Sequence, residues 1–280
     1  MRRNKGRILQ VILFLIFVVS SGILMYDLVI SPKQNQEMAK QLKEEFPEKD
    51  TQSPGVSPTE EPAPEGEKQP AGREREAQSI DIAALQVAYP DVKGWITIPG
   101  TNIDYPVLKS GESEPEYYLN HNYRREWDAN GSLFLQWNCD VSESQNLIVY
   151  GHNMNSGAMF GNLDRFASAD YWREHRNIFF QTLHGTSEYE IVSVMKADLS
   201  MFPFQQVHFV GEGSLEAHVG QAKSLGMFGT GELCHVSAPV LTLVTCAYEW
   251  EDARTVLVAV RKGAVLTSQE IGKSFVSGDR

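Results

Sequence analysis

The chain has few cysteines, and the motifs of the common cofactor-binding proteins are missing. Only Cys139, Cys234 and Cys246 occur among its 280 residues. The sequence contains no cysteine pairs at zinc-binding spacing, no P-loop and no dinucleotide-binding glycine pattern, and its seven histidines are dispersed. We therefore expect no required metal or cofactor. The odd cysteine count predicts at least one free thiol, and a disulfide between Cys234 and Cys246 is the alternative.

Positive charge is also scarce in this sequence. The formal net charge is -11, and residues 81–280 contain 14 basic against 24 acidic side chains. Proteins that bind nucleic acid usually carry a basic patch or stripe. The charge balance therefore argues against nucleic acid as a partner.

A long apolar run occurs at the N-terminus. It is an uncharged stretch of 19 residues, Ile8 to Tyr26, that follows four basic residues, Arg2, Arg3, Lys5 and Arg7. Roughly 20 apolar residues form a helix long enough to cross the hydrocarbon of a bilayer, and a basic flank stays in the cytoplasm. We predict a cytoplasmic tip (1–7), an uncleaved transmembrane signal anchor (8–30) and an extracellular remainder. A cleavable signal peptide is the alternative, although no small-residue cleavage site follows the run.

The segment after the predicted anchor is poor in apolar residues. Residues 31–46 have some helical potential but lack a strong apolar stripe, and five prolines lie between residues 54 and 70 amid Glu, Gln, Gly and Ser. Such a composition cannot bury enough surface to offset the chain entropy lost on folding. We predict a largely disordered extracellular tether over residues 31–78 and a folded domain over residues 79–280.

The predicted domain is rich in short strands. It begins with a helix from Ser79, the expected N-cap, to Tyr89, with Ile80, Ala83, Ala84 and Val87 on one side. Strand patterns follow at 95–98, 103–108, 132–136, 147–152, 178–183 and 188–197. Helical patterns occupy 157–173 and 214–225, the second with Leu215, Val219 and Ala222 on one stripe. Many short strands separated by turn residues are typical of a β-barrel.

A thiol and a guanidinium are predicted to meet near the C-terminal end of this domain. An apolar run from Ala238 ends at Cys246, and Arg254 begins a second run that continues to Val260. The two runs predict an antiparallel hairpin in which Cys246 faces Arg254 across a loop. Two alternatives remain open: Cys246 as a small buried apolar residue, and Arg254 as a surface partner of Glu251 or Asp252.

The best candidate for a proton-transfer partner of the thiol is His152. It ends the apolar run that starts at Asn146, and a polar loop follows it. Acyl transfer by a cysteine needs a thiolate and an acid that protonates the leaving amine, and a Cys/His pair provides both. An ordinary surface or core histidine is the alternative interpretation.

The motifs around these residues resemble those of the sortases, membrane-anchored cysteine transpeptidases of Gram-positive bacteria. The resemblance starts from Thr242–Cys246, the downstream Arg254 and Tyr150–Asn153. Further motifs follow the order found in class B sortases, namely Gly94–Val107, Tyr117–Leu119, Gly131–Phe134, Gly151–Met154 and Met159–Phe160. The resemblance covers about residues 79–265.

The resemblance implies a mainly β fold, a closed eight-stranded sortase-type barrel with peripheral helices. A helix before the barrel and a helix before the cysteine strand distinguish class B from class A. The resemblance also implies that His152, Cys246 and Arg254 are catalytic and that the substrate groove includes Tyr118, Leu119, Val244 and Thr245. Position 244 is valine, where some class B members have a hydroxyl residue, so a side-chain hydrogen bond there does not carry over.

The implied activity is the cleavage of a C-terminal sorting motif in secreted proteins through a thioester on Cys246. The acyl group then passes to an amine acceptor, either a cell-wall precursor or a pilin lysine, which anchors surface proteins or links pilin subunits. A hydrolytic cysteine protease of the same fold is one alternative. A non-catalytic, membrane-anchored surface-binding domain is another.

Overall fold

Eight strands close into one barrel in the computed structural model, which describes residues 2–25, 31–48, 80–228, 236, 239–246 and 252–266. The strands are β1 (Val92–Thr97), β2 (Asp104–Lys109), β3 (Leu133–Leu135), β4 (Asn146–Tyr150), β5 (Asn177–Thr182), β6 (Gly185–Ala197), β7 (Val240–Cys246) and β8 (Arg254–Leu266). Their order around the barrel is β1-β2-β3-β4-β7-β8-β6-β5. The predicted eight-stranded, mainly β barrel is confirmed.

Helices lie at the periphery. They are α1 (Arg2–Met25), α2 (Ser31–Glu45), α3 (Ile82–Ala88), α4 (Ala169–Glu174) and α5 (Ser214–Leu225), with 3₁₀ turns at Tyr117–Leu119 and Leu163–Ala167. The helical pattern over residues 157–173 thus corresponds to the second 3₁₀ turn and most of α4. The bounds of α5 match the prediction, and its stripe of Leu215, Val219 and Ala222 is buried as expected.

The pairing of β7 with two different neighbours positions the end of this strand. On one side β7 pairs in parallel with β4, and on the other it pairs antiparallel with β8. The predicted hairpin is confirmed, with Cys246 opposite Arg254. Strand β8 runs six residues beyond the predicted end, because its second half pairs with the long strand β6.

The start of α3 differs from the prediction. Ser79 lies outside the described residues, and the helix begins at Ile82 after an N-cap at Asp81, whose carboxylate accepts a hydrogen bond of 2.8 Å from the Ala84 N–H. The buried side of the helix is formed by Ile82 and Leu85, whereas Val87 is 85% exposed. The predicted apolar side was therefore wrong for Val87, whereas Ile80, which precedes the helix, is buried as predicted.

Helix α2 packs against the barrel, although the sequence placed residues 31–46 in the tether. Asn35, Ala39 and Leu42 are buried on one face of this helix. Lys43 Nζ lies 2.6 Å from Asp104 on β2. The packed face is half polar, so an apolar-stripe criterion did not detect it. The rest of the predicted tether, residues 49–78, lies outside the described residues.

The predicted membrane anchor over residues 8–30 overlaps α1. Within the part of the chain that the structure describes, no helix meets both the length and the hydropathy required to cross a bilayer. Residues 26–30 lie outside that part. The anchor stays a prediction.

Candidate active site

The register of β4 and β7 brings His152 and Cys246 to the same level of the barrel. Tyr150 pairs with Val244 in the parallel ladder, and each candidate lies two residues beyond that pair. The Gly151 N–H extends the ladder, since it donates to the Val244 carbonyl at 3.2 Å. With Arg254 opposite Cys246, three adjacent strand ends carry the three predicted catalytic positions.

A backbone carbonyl fixes the imidazole of His152. Its Nε2 lies 2.7 Å from the carbonyl oxygen of Leu119. A carbonyl oxygen only accepts hydrogen bonds, so Nε2 must carry a proton and donate it. The other ring nitrogen, Nδ1, is therefore the atom that gains and loses a proton. The main chain of the residue is held as well, because the Phe160 N–H donates to the His152 carbonyl at 3.0 Å.

The Leu119 carbonyl is in turn held by the segment that precedes β3. Gly131 has a φ of +58°, and a Cβ at this position would lie 2.3 Å from the Leu119 oxygen. The next residue, Ser132, donates its N–H to the Tyr118 carbonyl at 2.9 Å. Only glycine lets the backbone at residue 131 lie this close to the Leu119 carbonyl. The Gly131–Phe134 motif thus supports the carbonyl that accepts the hydrogen bond of His152.

Arg254 lies half-buried at the start of β8. One guanidinium nitrogen, Nη1, donates to the Ala253 carbonyl at 2.9 Å. This bond uses one of the five N–H donors of the guanidinium. Among the described residues Arg254 forms no ion pair with Asp252, and Glu251 lies outside them.

These residues line one cleft of about 780 Å³. His152 and Arg254 both border it, together with Leu119, Val244 and Thr245. Three of the four predicted groove residues are therefore brought together with the catalytic candidates. The volume lies within the range of pockets that bind peptides or drug-sized molecules.

The fourth predicted groove residue, Tyr118, is not among the residues that line the cleft. Its side chain is 1% exposed, and its hydroxyl donates to the carboxylate of Asp91, which also accepts from Arg125 Nε at 2.7 Å. Burial and the neighbouring Asp91 carboxylate raise the pKa of Tyr118. Adjacent residues of this 3₁₀ turn point in different directions, so the structure brings Leu119 but not Tyr118 to the cleft, and a substrate role for Tyr118 stays a prediction.

Sequence reasoning missed much of the cleft wall. An apolar group borders the cleft, made of Phe134, Trp137, Tyr150, Leu199 and Phe204. Three carboxylates, Glu116, Asp198 and Asp252, lie among them. Phe134 and Tyr150 belong to motifs noted in the sequence. The others lie in connections between strands, and only the closed barrel brings these connections together.

Another thiol in the described residues, Cys139, is unsuited to catalysis. It is fully buried, and its Sγ lies 3.5 Å from both the Asn146 carbonyl and the Ile148 N–H. Burial raises the pKa of this thiol to about 11. Cys234 lies outside the described residues, and no group of three metal-binding side chains is found within them.

Comparison with known proteins decides the family. The model of the Sortase domain matches residues 96–262, more than half of the chain. The chain belongs to the sortase family. Sortase B of Listeria monocytogenes is 29% identical over 180 residues, and sortase B of Staphylococcus aureus is 26% identical over 179. Each alignment covers 63% of this chain and 72% of the relative.

The solved structures agree with the sequence relatives. The structure of Clostridium perfringens sortase B is 27% identical with a TM-score of 0.58, over 65% of this chain and 99% of that one. Helix α3 before the barrel and α5 between β6 and β7 provide the two helices expected of class B. The enzyme is thus a class B sortase, a cysteine transpeptidase, which excludes the alternative of a non-catalytic surface-binding domain.

Proposed function

We propose that this sortase cleaves a sorting motif near the C-terminus of secreted proteins and joins the new carboxyl end to an amine. The observation that carries the proposal is the meeting of the Cys246 position with Arg254 and His152 at three neighbouring strand ends. The acceptor is a cell-wall precursor or a pilin lysine, so the product is an anchored surface protein or a linked pilin.

In the first half-reaction the Cys246 thiolate attacks the scissile carbonyl carbon. A C–S bond forms as the C–N bond breaks, and protonated His152 gives its Nδ1 proton to the departing amine. The oxygen of the tetrahedral intermediate carries the developing negative charge. Arg254 stabilises that charge through the N–H donors of its guanidinium.

In the second half-reaction an amine attacks the thioester. His152 accepts the proton of the amine at Nδ1, the new amide bond forms and the thiolate is released. Water is the competing nucleophile, so hydrolysis is the side reaction of the same site. One matched sortase B structure was solved as a complex with triglycine, a peptide with a free amino group, which supports an amine as the acceptor.

Trapping the acyl-enzyme tests the proposal. We would incubate the enzyme with peptides that carry candidate sorting motifs and record the mass of the protein and the residue modified. A thioester on Cys246 is expected in the enzyme and in Cys139→Ala, the matched thiol control, but not in Cys246→Ala. Addition of an amine should convert the adduct into an amide product. If only the hydrolysed peptide forms after an amine is added, the result would favour the protease alternative.

We also propose that the chain is a single-pass protein of the cell membrane with its N-terminus inside and its catalytic domain outside. Support comes from the four basic residues before Ile8 and from eight consecutive exposed apolar side chains, Ile12 to Val19. The division into tip (1–7), anchor (8–30), tether (31–78) and catalytic domain (79–280) belongs to this proposal, with α2 as a packed part of the tether segment.

A further inference from the structure

A single carboxylate lies where the segments after His152 and Arg254 approach each other. Asp164, in the 3₁₀ turn Leu163–Ala167, accepts hydrogen bonds from Asn153 Nδ2 at 2.9 Å, from Lys196 Nζ at 2.6 Å and from the Thr255 hydroxyl. Lys196 Nζ also donates to Thr255 Oγ1 at 2.8 Å. We call these four residues the Asp164 cluster.

Two members of the cluster are sequence neighbours of the proposed catalytic residues. Asn153 directly follows His152, and Thr255 directly follows Arg254. Thr255 is 1% exposed and does not line the cleft, whereas Arg254 does. Lys196 pairs with Thr255, and Thr255 pairs with Thr245 on β7. The cluster therefore connects β6 and β8 to the loop after β4 without lining the cleft.

The carboxylate is charged in the folded protein. Burial alone would raise the pKa of Asp164, but the hydrogen bonds from Lys196, Thr255 and Asn153 outweigh burial and lower it. The side chain of Lys196 is 14% exposed and that of Asp164 is 40% exposed. A carboxylate that accepts several charged or aligned donors has a narrowly defined position.

We propose that Asp164 is a positioning residue for transpeptidation, which sets the separation of His152 from Arg254. The Asp164 carboxylate holds the loop that carries His152 through its bond with Asn153. It holds the start of β8 through its bond with Thr255. This inference rests on the catalytic roles proposed above for His152 and Arg254. It adds a function for Asp164, Asn153 and Lys196, none of which lines the cleft.

Two substitutions separate positioning from stability. Asn153→Ala removes the link to the His152 loop and leaves the Asp164–Lys196 ion pair intact. Asp164→Asn keeps the shape of the side chain but removes its charge. The new amide N–H₂ group cannot accept the hydrogen bonds that the replaced carboxylate oxygen received. Because a displacement of about 1 Å at a reacting group can cost on the order of a hundredfold in rate, both variants should lower kcat by roughly tenfold to a hundredfold. KM for the peptide should change little, since the cleft wall is untouched.

The experiment measures kcat, KM, the pH profile of kcat/KM and the melting temperature of each variant. Asp170→Asn is the matched control, because Asp170 also forms a 2.6 Å ion pair, with Arg173, but its side chain is 88% exposed. Asp170→Asn should behave as the wild type. Expected for Asn153→Ala is a lower kcat at an unchanged melting temperature, with a pH profile of kcat/KM that differs from that of the wild type.

Two results would overturn the inference. One is wild-type kcat in both Asn153→Ala and Asp164→Asn. The other is a loss of activity that appears only at temperatures at which the variant has begun to unfold. That result would be expected if the Asp164–Lys196 ion pair served stability alone. Either result is compatible with a thioester on Cys246 and therefore does not contradict the proposed function. Failure of the wild-type enzyme to form that thioester would instead reject the proposed function itself.

Discussion

Arg254 begins β8 opposite Cys246, and its guanidinium borders the cleft. Lysine at this position keeps the charge but loses the planar fork of N–H donors, one of which already contacts Ala253. Loss of one donor to an oxyanion typically costs on the order of 10² to 10³ in rate, so Arg254→Lys should lower kcat/KM by about a hundredfold. Arg173→Lys, at an exposed ion pair, is the control. Normal turnover of Arg254→Lys would reduce Arg254 to a surface residue.

Gly131 allows a second test at the scale of single residues. Its φ is +58°, and a Cβ would clash with the Leu119 oxygen that accepts from His152. We expect Gly131→Ala to displace this carbonyl, release the His152 ring and lower kcat/KM by roughly a hundredfold.

Gly263→Ala is a closely matched control for this test. Gly263 has a φ of +55°, and a Cβ there would meet nothing within 4 Å. It therefore carries only the backbone cost of the left-handed conformation, about 1–2 kcal/mol. Equal kcat/KM values for the two alanine variants, measured below their melting temperatures, would show that the Leu119 carbonyl does not position His152.

At the scale of elements, the packing of α2 against the barrel was not predicted from the sequence. Leu42 is 1% exposed in the contact between α2 and the barrel. Replacement of a buried leucine by alanine costs about 2–5 kcal/mol, so Leu42→Ala should reduce the free energy of unfolding by that amount in urea titrations. Gln41→Ala, on the exposed face of the same helix, should change it by less than about 0.5 kcal/mol. No effect of Leu42→Ala would mean that α2 is dispensable for the barrel.

The elements also show which parts of the fold were predictable. The β7–β8 hairpin and α5 could be predicted from the sequence because period-2 and helical patterns are local. The parallel pairing of β4 with β7, which brings His152 beside Cys246, joins segments separated by about 90 residues, so only the family resemblance indicated it. Helix α2 was missed because Asn35 occupies a buried position, where it accepts from Asn130 and donates to Asp128.

We expect His218 on helix α5 to make the stability of the protein depend on pH. His218 on α5 is 5% exposed, its ring lies 4.6 Å from that of Phe202 and 4.7 Å from that of Phe209, and its Nε2 has no hydrogen-bond partner among the described residues. Burial lowers its pKa from 6.5 to about 4. Below pH 6.5 the unfolded chain therefore binds a proton that the folded protein does not, so stability falls as the pH drops.

Urea titrations between pH 7 and pH 4 measure this effect. The shift corresponds to a loss on the order of 3 kcal/mol by the time the pH reaches 4. Asp91, Asp140 and Asp164 have pKa values lowered below 3.8 and so contribute mainly at more acidic pH. In His218→Leu the decline over this window should be much smaller. An equal decline in the variant would assign the pH dependence to other groups.

At the scale of the whole molecule, the sequence predicts an enzyme held at the outer face of the membrane. The basic tip and the apolar run before Asp27 predict an N-terminus inside the cell. The predicted tether contains four trypsin sites beyond α2, namely Lys49, Lys68, Arg73 and Arg75. Trypsin added to intact, wall-stripped cells should release the catalytic domain into the medium while a cytoplasmic marker protein stays whole. Replacement of these four basic residues by glutamine should slow that release without changing activity on peptides. A catalytic domain that stays protected until the membrane is lysed would reverse the orientation, and a domain already in the medium before trypsin is added would favour a cleaved signal peptide.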